Sequence, residues 1–248
     1  MIQEDAWASL KAFTDARIAL GRTGTALPLR EALRFRLAHA HARDAVYSAL
    51  DTEGLRTGLA PLGLPVYTLH SQAADRQVYL QRPDLGRTLS PHSVEQLEGA
   101  VTVPSDICII IADGLSATAV NRHAGALLHE LVPALRSAGL TLAPFTLLQQ
   151  GRVATGDPIG ALLRARLSIM LIGERPGLSS AESVGAYLTF QPRPGLTDES
   201  RNCISNIRPE GLPPKPASAK LFYLAKEALR LGLSGIGLKD NAALLSEM

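Results

Sequence analysis

The strongest constraint on the fold is a short run, Ile107 to Ala112, in which every residue is apolar and most are β-branched. A strand with one wetted face alternates polar with apolar residues, whereas a strand covered on both faces does not. This run therefore predicts a buried strand, with Cys108 inside it, and Asp113-Gly114 turns the chain after it. A second run of this kind is Leu167 to Ile172, and Thr141 to Leu148 predicts a strand between the two. Ser116 to Ser137 predicts a helix closed at Gly139, and the turn Gly151 to Gly156 leads into a short helix from Asp157-Pro158. Strand, helix, strand, helix, strand at this spacing gives a parallel α/β sheet. A loop from Gly173 to Ser180 leads to a further candidate strand at Ala186 to Phe190, and the last helix covers about Ala217 to Leu231.

The first hundred residues follow other rules. Ile2, Ala6, Leu10 and Phe13 recur at helical spacing and predict a short opening helix, read first as docked on its own domain and otherwise as a detachable targeting helix. Pro28 sits where a second helix begins, and nothing breaks that helix from Leu29 to Leu50. Its apolar face runs through Leu33, Leu37, Ala40 and Ala45. Arg30, Arg34, Arg36, His39, His41 and Arg43 fill much of the rest, as a solvated face or as a surface for a partner or anion. Gly54 to Pro65 is rich in Gly, Pro and Leu; Val66 to Leu69 is a candidate extended segment, and Ser90-Pro91 starts a short helix through Leu97. The expected layout is a mainly helical region, residues 1–104, that contacts a partner. A Rossmann-like parallel-sheet domain, residues 105–248, would follow it.

Composition narrows the function. The 25 basic and 23 acidic residues leave a net charge of +2, too little to hold a polyanion, so no nucleic-acid partner is expected. Aromatic residues are only 4%, which argues against a base-stacking platform. The longest apolar run falls far short of the ~20 residues that a membrane-spanning helix needs. The opening MIQEDAWASLKAF lacks the basic head and apolar centre of a secretion signal, so a soluble, reduced, intracellular chain is expected. Cys108 and Cys203 stand far apart without a Cys/His cluster, and neither a zinc site nor a disulfide framework is indicated.

Open α/β sheets bind ligands beyond the carboxyl ends of their strands. The segments expected there are Asp113 to Ser116, Gln149 to Val153 and Gly173 to Ser180, with Arg201 to Arg208 near them. Gly151 to Gly156 has phosphate-loop spacing without the following Lys-Ser/Thr, and no G-x-G-x-x-G opens the first helix. His123 and His129, six apart, lack metal-ligand spacing. Cys203 has no sequence-evident base, and Glu174 reads either as a ligand or as a loop carboxylate paired with Arg. From residues alone this is a binding domain without a self-contained catalytic set; a stand-alone nucleotide-binding Rossmann-like enzyme and a pure assembly protein stay open.

The same loops carry a resemblance. RIALGRTGTALPLREALRFRLAHAHARDAVYSALD, QRPDLGRTLS, IIIADGLSA, QGRVATGDPIG, LIGERPGLSS and RNCISNIRPEGL resemble, in order, the signature blocks of the small (light) subunit of ethanolamine ammonia-lyase. The resemblance implies an adenosylcobalamin-dependent lyase that converts ethanolamine to acetaldehyde and ammonia. It also implies that a large TIM-barrel subunit holds the substrate and the radical-handling residues, while the small subunit closes over the corrinoid at the subunit interface. The family's cobalamin contacts fall on Val153, Glu174 and Cys203; Arg152, Arg175 and Asn202 either support them or, the preferred reading, position loops or meet the partner. No catalytic residue and no metal ligand is implied in this chain. The D-x-H-x-x-G motif is absent, in keeping with a family that binds cobalamin with its own base still attached. A complex with six of each subunit is implied, in the cytoplasm or in a bacterial microcompartment. Some relatives carry a longer N-terminal extension linked to microcompartment delivery, which this sequence lacks before its first signature block.

Overall fold

The computed structural model describes residues 3–100 and 103–241. Its centre is a mixed, mostly parallel six-stranded sheet. In chain order the elements are α1 (Leu29–Tyr47), α2 (Thr52–Leu59), β1 (Val66–His70), α3 (Arg76–Gln81), α4 (Pro83–Gly86), α5 (Pro91–Glu98), β2 (Ser105–Ala112) and α6 (Ala117–Ser137). They continue as β3 (Phe145–Gln149), α7 (Gly156–Leu162), β4 (Ala165–Gly173), β5 (Val184–Phe190), β6 (Arg201–Ile207) and α8 (Pro214–Leu231).

The strand order is β1-β3-β2-β4-β5-β6. Strands β1, β3, β2 and β4 pair in parallel, β5 lies antiparallel to β4, and β6 antiparallel to β5. The apolar runs at β2 and β4 form the middle, where Ile107 to Ala112 are buried on both faces. One strand of the sheet, β1, comes from before residue 105 and pairs with β3.

Side-chain alternation divides the core into two layers. Ile107, Ile109, Ile111, Leu167, Ile169 and Leu171 face α2, α6 and α8, while Cys108, Ile110, Ala112, Met170 and Ile172 face α5 and α7. Ser116 caps α6, its Oγ accepting from the Ala119 N–H at 3.3 Å, and Ser90 caps α5 in the same way.

Four segments depart from the sequence expectations. Arg201 to Ile207, expected as a loop, is an edge strand. Thr52–Leu59 is a helix despite two glycines, because Asp51 caps it and Leu55 and Leu59, one turn apart, bury against the α6 layer. The expected opening helix is a six-residue 3-10 helix, Ala8–Phe13, and it is not docked: Trp7, Leu10 and Phe13 are exposed. Ile2 lies outside the described residues. The stripe expected on α1 is likewise uncovered, since Leu33 and Leu37 are exposed and only Ala45 of that helix is buried.

A buried ion pair fastens α7 to β6. Arg201 Nη2 lies 2.5 Å from Asp157 Oδ2, with only 2% and 4% of the two side chains exposed. Removing one partner strands the other charge in a low-dielectric site. Arg201→Met should therefore cost about 3–5 kcal/mol in denaturant unfolding; a loss under about 1 kcal/mol would mean that the pair is not a structural fastener.

Candidate functional site

The loops after β2, β3 and β4 gather at the carboxyl ends of the parallel strands. The buried Asp113 carboxylate joins two of them, accepting from the Gln150 N–H at 2.7 Å and the Gly151 N–H at 3.2 Å. Burial pushes this carboxyl above the usual range, and those N–H groups together with Arg76 pull it back. Arg76 donates to Gly114 O at 2.8 Å, and its guanidinium lies 4.7 Å from the Tyr79 ring centroid. Arg152 stacks against the same ring at 4.4 Å and donates to Tyr79 O. The Tyr79 hydroxyl donates to Gly151 O at 3.2 Å, and burial raises its pKa to about 12.

Val153 follows as the first residue of a short 3-10 turn that Thr155 anchors, its hydroxyl donating to Gly86 O at 2.7 Å. The Val153 side chain packs on the layer containing Ile110, Met170 and Ile172, and Tyr187 packs on that layer too.

Glu174 is the first residue beyond β4. Its N–H donates to Ser183 O at 3.0 Å, and its Oε2 accepts from the Asn206 N–H at 3.1 Å. Among the described residues no group hydrogen-bonds its Oε1. That oxygen lies beside Gly185, where a Cβ would fall 3.1 Å from it and 3.3 Å from the Tyr187 ring. Cys203 stands opposite Tyr187 in the β5–β6 register, and the phenol and thiol perturb each other's ionisation. Burial lifts Tyr187 to about 12, with Cys203 and Glu174 adding to the effect. Burial also raises the Cys203 thiol, against the pull of Tyr187.

Glu174 and Cys203, expected at one site, thus meet through Tyr187, and Val153 rests on the same layer. The alternation along β5 puts Gly185 and Tyr187 on the face opposite Val184, Ala186 and Leu188, which pack in the α6 and α8 layer. On the Tyr187 face α7 packs against β4, yet Cys203 on β6 is exposed and Tyr187 only partly covered. This half-face presents a carboxylate, a phenol and a thiol, and carries no paired acid and base among the described residues.

The supporting residues separate. Arg152 positions the Val153 loop. Asn202 is taken up by the chain beyond α8, donating to Gly235 O and Leu238 O and accepting from the Gly235 N–H. Arg175 is exposed. Tyr187 escaped the sequence reading because a tyrosine in a strand is unremarkable until its cross-strand partner is known.

The sequence matches the family model for the ethanolamine ammonia-lyase light chain (EutC) over residues 4–239. The chain belongs to that family. It is 56% identical to the ethanolamine ammonia-lyase small subunit of Xanthomonas campestris over 241 residues, 96% of this chain and 89% of the relative. To the small subunits of Pseudomonas paraeruginosa and Azotobacter vinelandii it is 53% and 52% identical, covering 98% and 96% of this chain and 90% of each relative. The segments GERPGLSS and NCISNIRPEG flank the β5 half-face, the first leading out of β4 and the second running along β6. Among the described residues no helix is long and apolar enough to cross a membrane.

The two thiols should be chemically distinct. Cys108 is fully buried with its pKa pushed to about 12, whereas Cys203 is exposed, its pKa raised by partial burial of the thiol. A maleimide should label one thiol in the native protein and two after unfolding, as counted by mass spectrometry. Because burial holds Cys203 protonated, its labelling rate should still be climbing above the usual thiol pKa of about 8.5. A rate already flat at pH 8 would contradict the assigned environment.

Proposed function

We propose that this chain is the non-catalytic small subunit of an adenosylcobalamin-dependent ethanolamine ammonia-lyase, closing over the corrinoid against a large catalytic subunit. One observation carries this reading: in a member of the light-chain family, Glu174, Tyr187 and Cys203 cluster on the part of the sheet that the chain's own helices leave uncovered. The residues present suit such a group. A corrin is a broad ring with an apolar face and a rim of amide arms. Val153 offers apolar contact and Glu174 Oε1 an acceptor for an amide N–H.

Adenosylcobalamin would supply radical-initiated hydrogen abstraction, chemistry that belongs to the cofactor rather than to side chains. The chain's own residues bind, orient and exclude water. Val153 and the Tyr187 ring would give apolar contact, Glu174 would accept from an amide arm, and Cys203 would add a neutral thiol beside them. Residues 105–248, completed by β1 and the helices packed on the sheet from before residue 105, act as a Rossmann-like cobalamin-binding unit, and ethanolamine is held by the large subunit. A stand-alone nucleotide enzyme is less favoured, because the family match spans nearly the whole chain and the glycine fingerprint is missing.

The N-terminal region, within residues 1–104, supplies partner contact. Nine of the thirteen large apolar side chains exposed among the described residues lie between Trp7 and Tyr47, where only Pro28 and Ala45 are buried. A surface of this kind marks a protein interface. Assembly with six of each subunit follows as the family-like stoichiometry.

Mixing the chain with the large subunit, adenosylcobalamin and ethanolamine should yield acetaldehyde, and either chain alone should be inactive. Full turnover by the large subunit alone would sink this division of labour. Glu174→Ala should weaken cobalamin binding to the complex by about tenfold or more, the loss of a charged acceptor, without changing assembly; an unchanged titration would remove Glu174 from the site. Leu33→Glu with Leu37→Glu should abolish co-elution with the large subunit, and normal co-elution would remove α1 from the interface.

A further inference from the structure

Strand β6 carries a defect placed next to Glu174. Val184 pairs with Ile207 and Ala186 with Ile204, so two steps along β5 match three along β6. The extra residue is a β-bulge, and it lets Ile204 and Ile207, three apart, both face the α6 and α8 layer. Asn206 lies within it at φ +58°, left-handed backbone that asparagine tolerates better than any other side chain of its size.

This conformation redirects the Asn206 peptide group. Its N–H leaves the strand ladder and donates to Glu174 Oε2 at 3.1 Å, while its carbonyl accepts from the Leu212 N–H at 2.9 Å. The tight return passes Gly211, where a Cβ would fall 2.4 Å from Asn206 O, so only glycine fits. The Asn206 side chain is turned outward and accepts from Arg208 Nε at 2.8 Å.

We infer that Asn206 is a positioning residue: its left-handed bulge holds one oxygen of Glu174 through a main-chain N–H and thereby presents the other, Oε1, in a fixed direction to an amide N–H of the bound corrinoid. The inference rests on the cobalamin reading above. It assigns Asn206 no contact with the ligand and makes backbone conformation, rather than the side-chain amide, the property that matters.

Two substitutions separate these properties. Asn206→Ala and Asn206→Gly both delete the amide and its bond to Arg208, but only glycine enters left-handed backbone without penalty. Adenosylcobalamin affinity is read by absorbance titration of the assembled two-subunit complex, with assembly checked by size exclusion. Asn206→Gly should bind within about twofold of the unchanged protein, whereas Asn206→Ala should bind about tenfold more weakly, the loss of one oriented hydrogen bond. Asn206→Ser, equally disfavoured at this φ, takes the place of the alanine variant if that variant does not assemble. Added to Glu174→Ala, Asn206→Ala should weaken binding no further, because its effect passes through Glu174.

Equal affinities for the alanine and glycine variants would overturn the inference, as would an additive loss in the double variant. If Glu174→Ala itself leaves the affinity unchanged, the cobalamin reading of Glu174 fails. If Glu174→Ala weakens binding and Asn206→Ala does not, that reading stands and only the role of Asn206 falls.

Discussion

Strands β2 and β4 lie side by side at the centre of the sheet, buried on both faces along most of their length. A slip of one residue between them would turn every side chain from one layer to the other, and the two layers are packed with residues of different size. Their register is therefore rigidly specified, and it fixes where the chain emerges at Asp113 and at Glu174. The rest follows from that alignment. Asp113 gathers the Gln150–Gly151 backbone, which delivers Val153, while Glu174 is delivered directly by β4.

The antiparallel pair β5–β6 extends this frame beyond the helices on one face. A purely parallel extension would need another crossover helix to reach each strand. The antiparallel returns used here leave Cys203 exposed and Tyr187 partly exposed beside Glu174. Coverage of the other face by α6 and α8 supplies stability, and the Arg201–Asp157 pair ties the far end of β6 to α7. The exposed arm and the open half-face are both unfinished surfaces in a chain whose centre is well packed, as expected of a subunit completed by a partner and a bulky ligand.

How legible each part was in the sequence follows from how local its cause is. Strands β2 and β4 were legible because burial on both faces removes polar residues from the strand itself. Strand β6 was not, because Arg201, Asn202, Ser205 and Asn206 suit an edge and the three-residue step from Ile204 to Ile207 hides the alternation. Helix α2 was obscured by Gly54 and Gly58, whose cost is offset by a cap and by burial of Leu55 and Leu59. Val153, Glu174 and Cys203 could be singled out only through the family resemblance, since nothing in their spacing requires proximity. Their connection through Tyr187 depends on a cross-strand register that no local signal encodes.

The central claim, that a corrinoid covers the β5–β6 half-face in the assembled enzyme, has a direct footprint in the Cys203 thiol. Alkylation of Cys203 should be followed in the two-subunit complex with and without saturating adenosylcobalamin. The account predicts that the cofactor slows the reaction by about tenfold or more, as expected for a thiol removed from solvent. An unchanged rate with cobalamin demonstrably bound would place the cofactor elsewhere and contradict it.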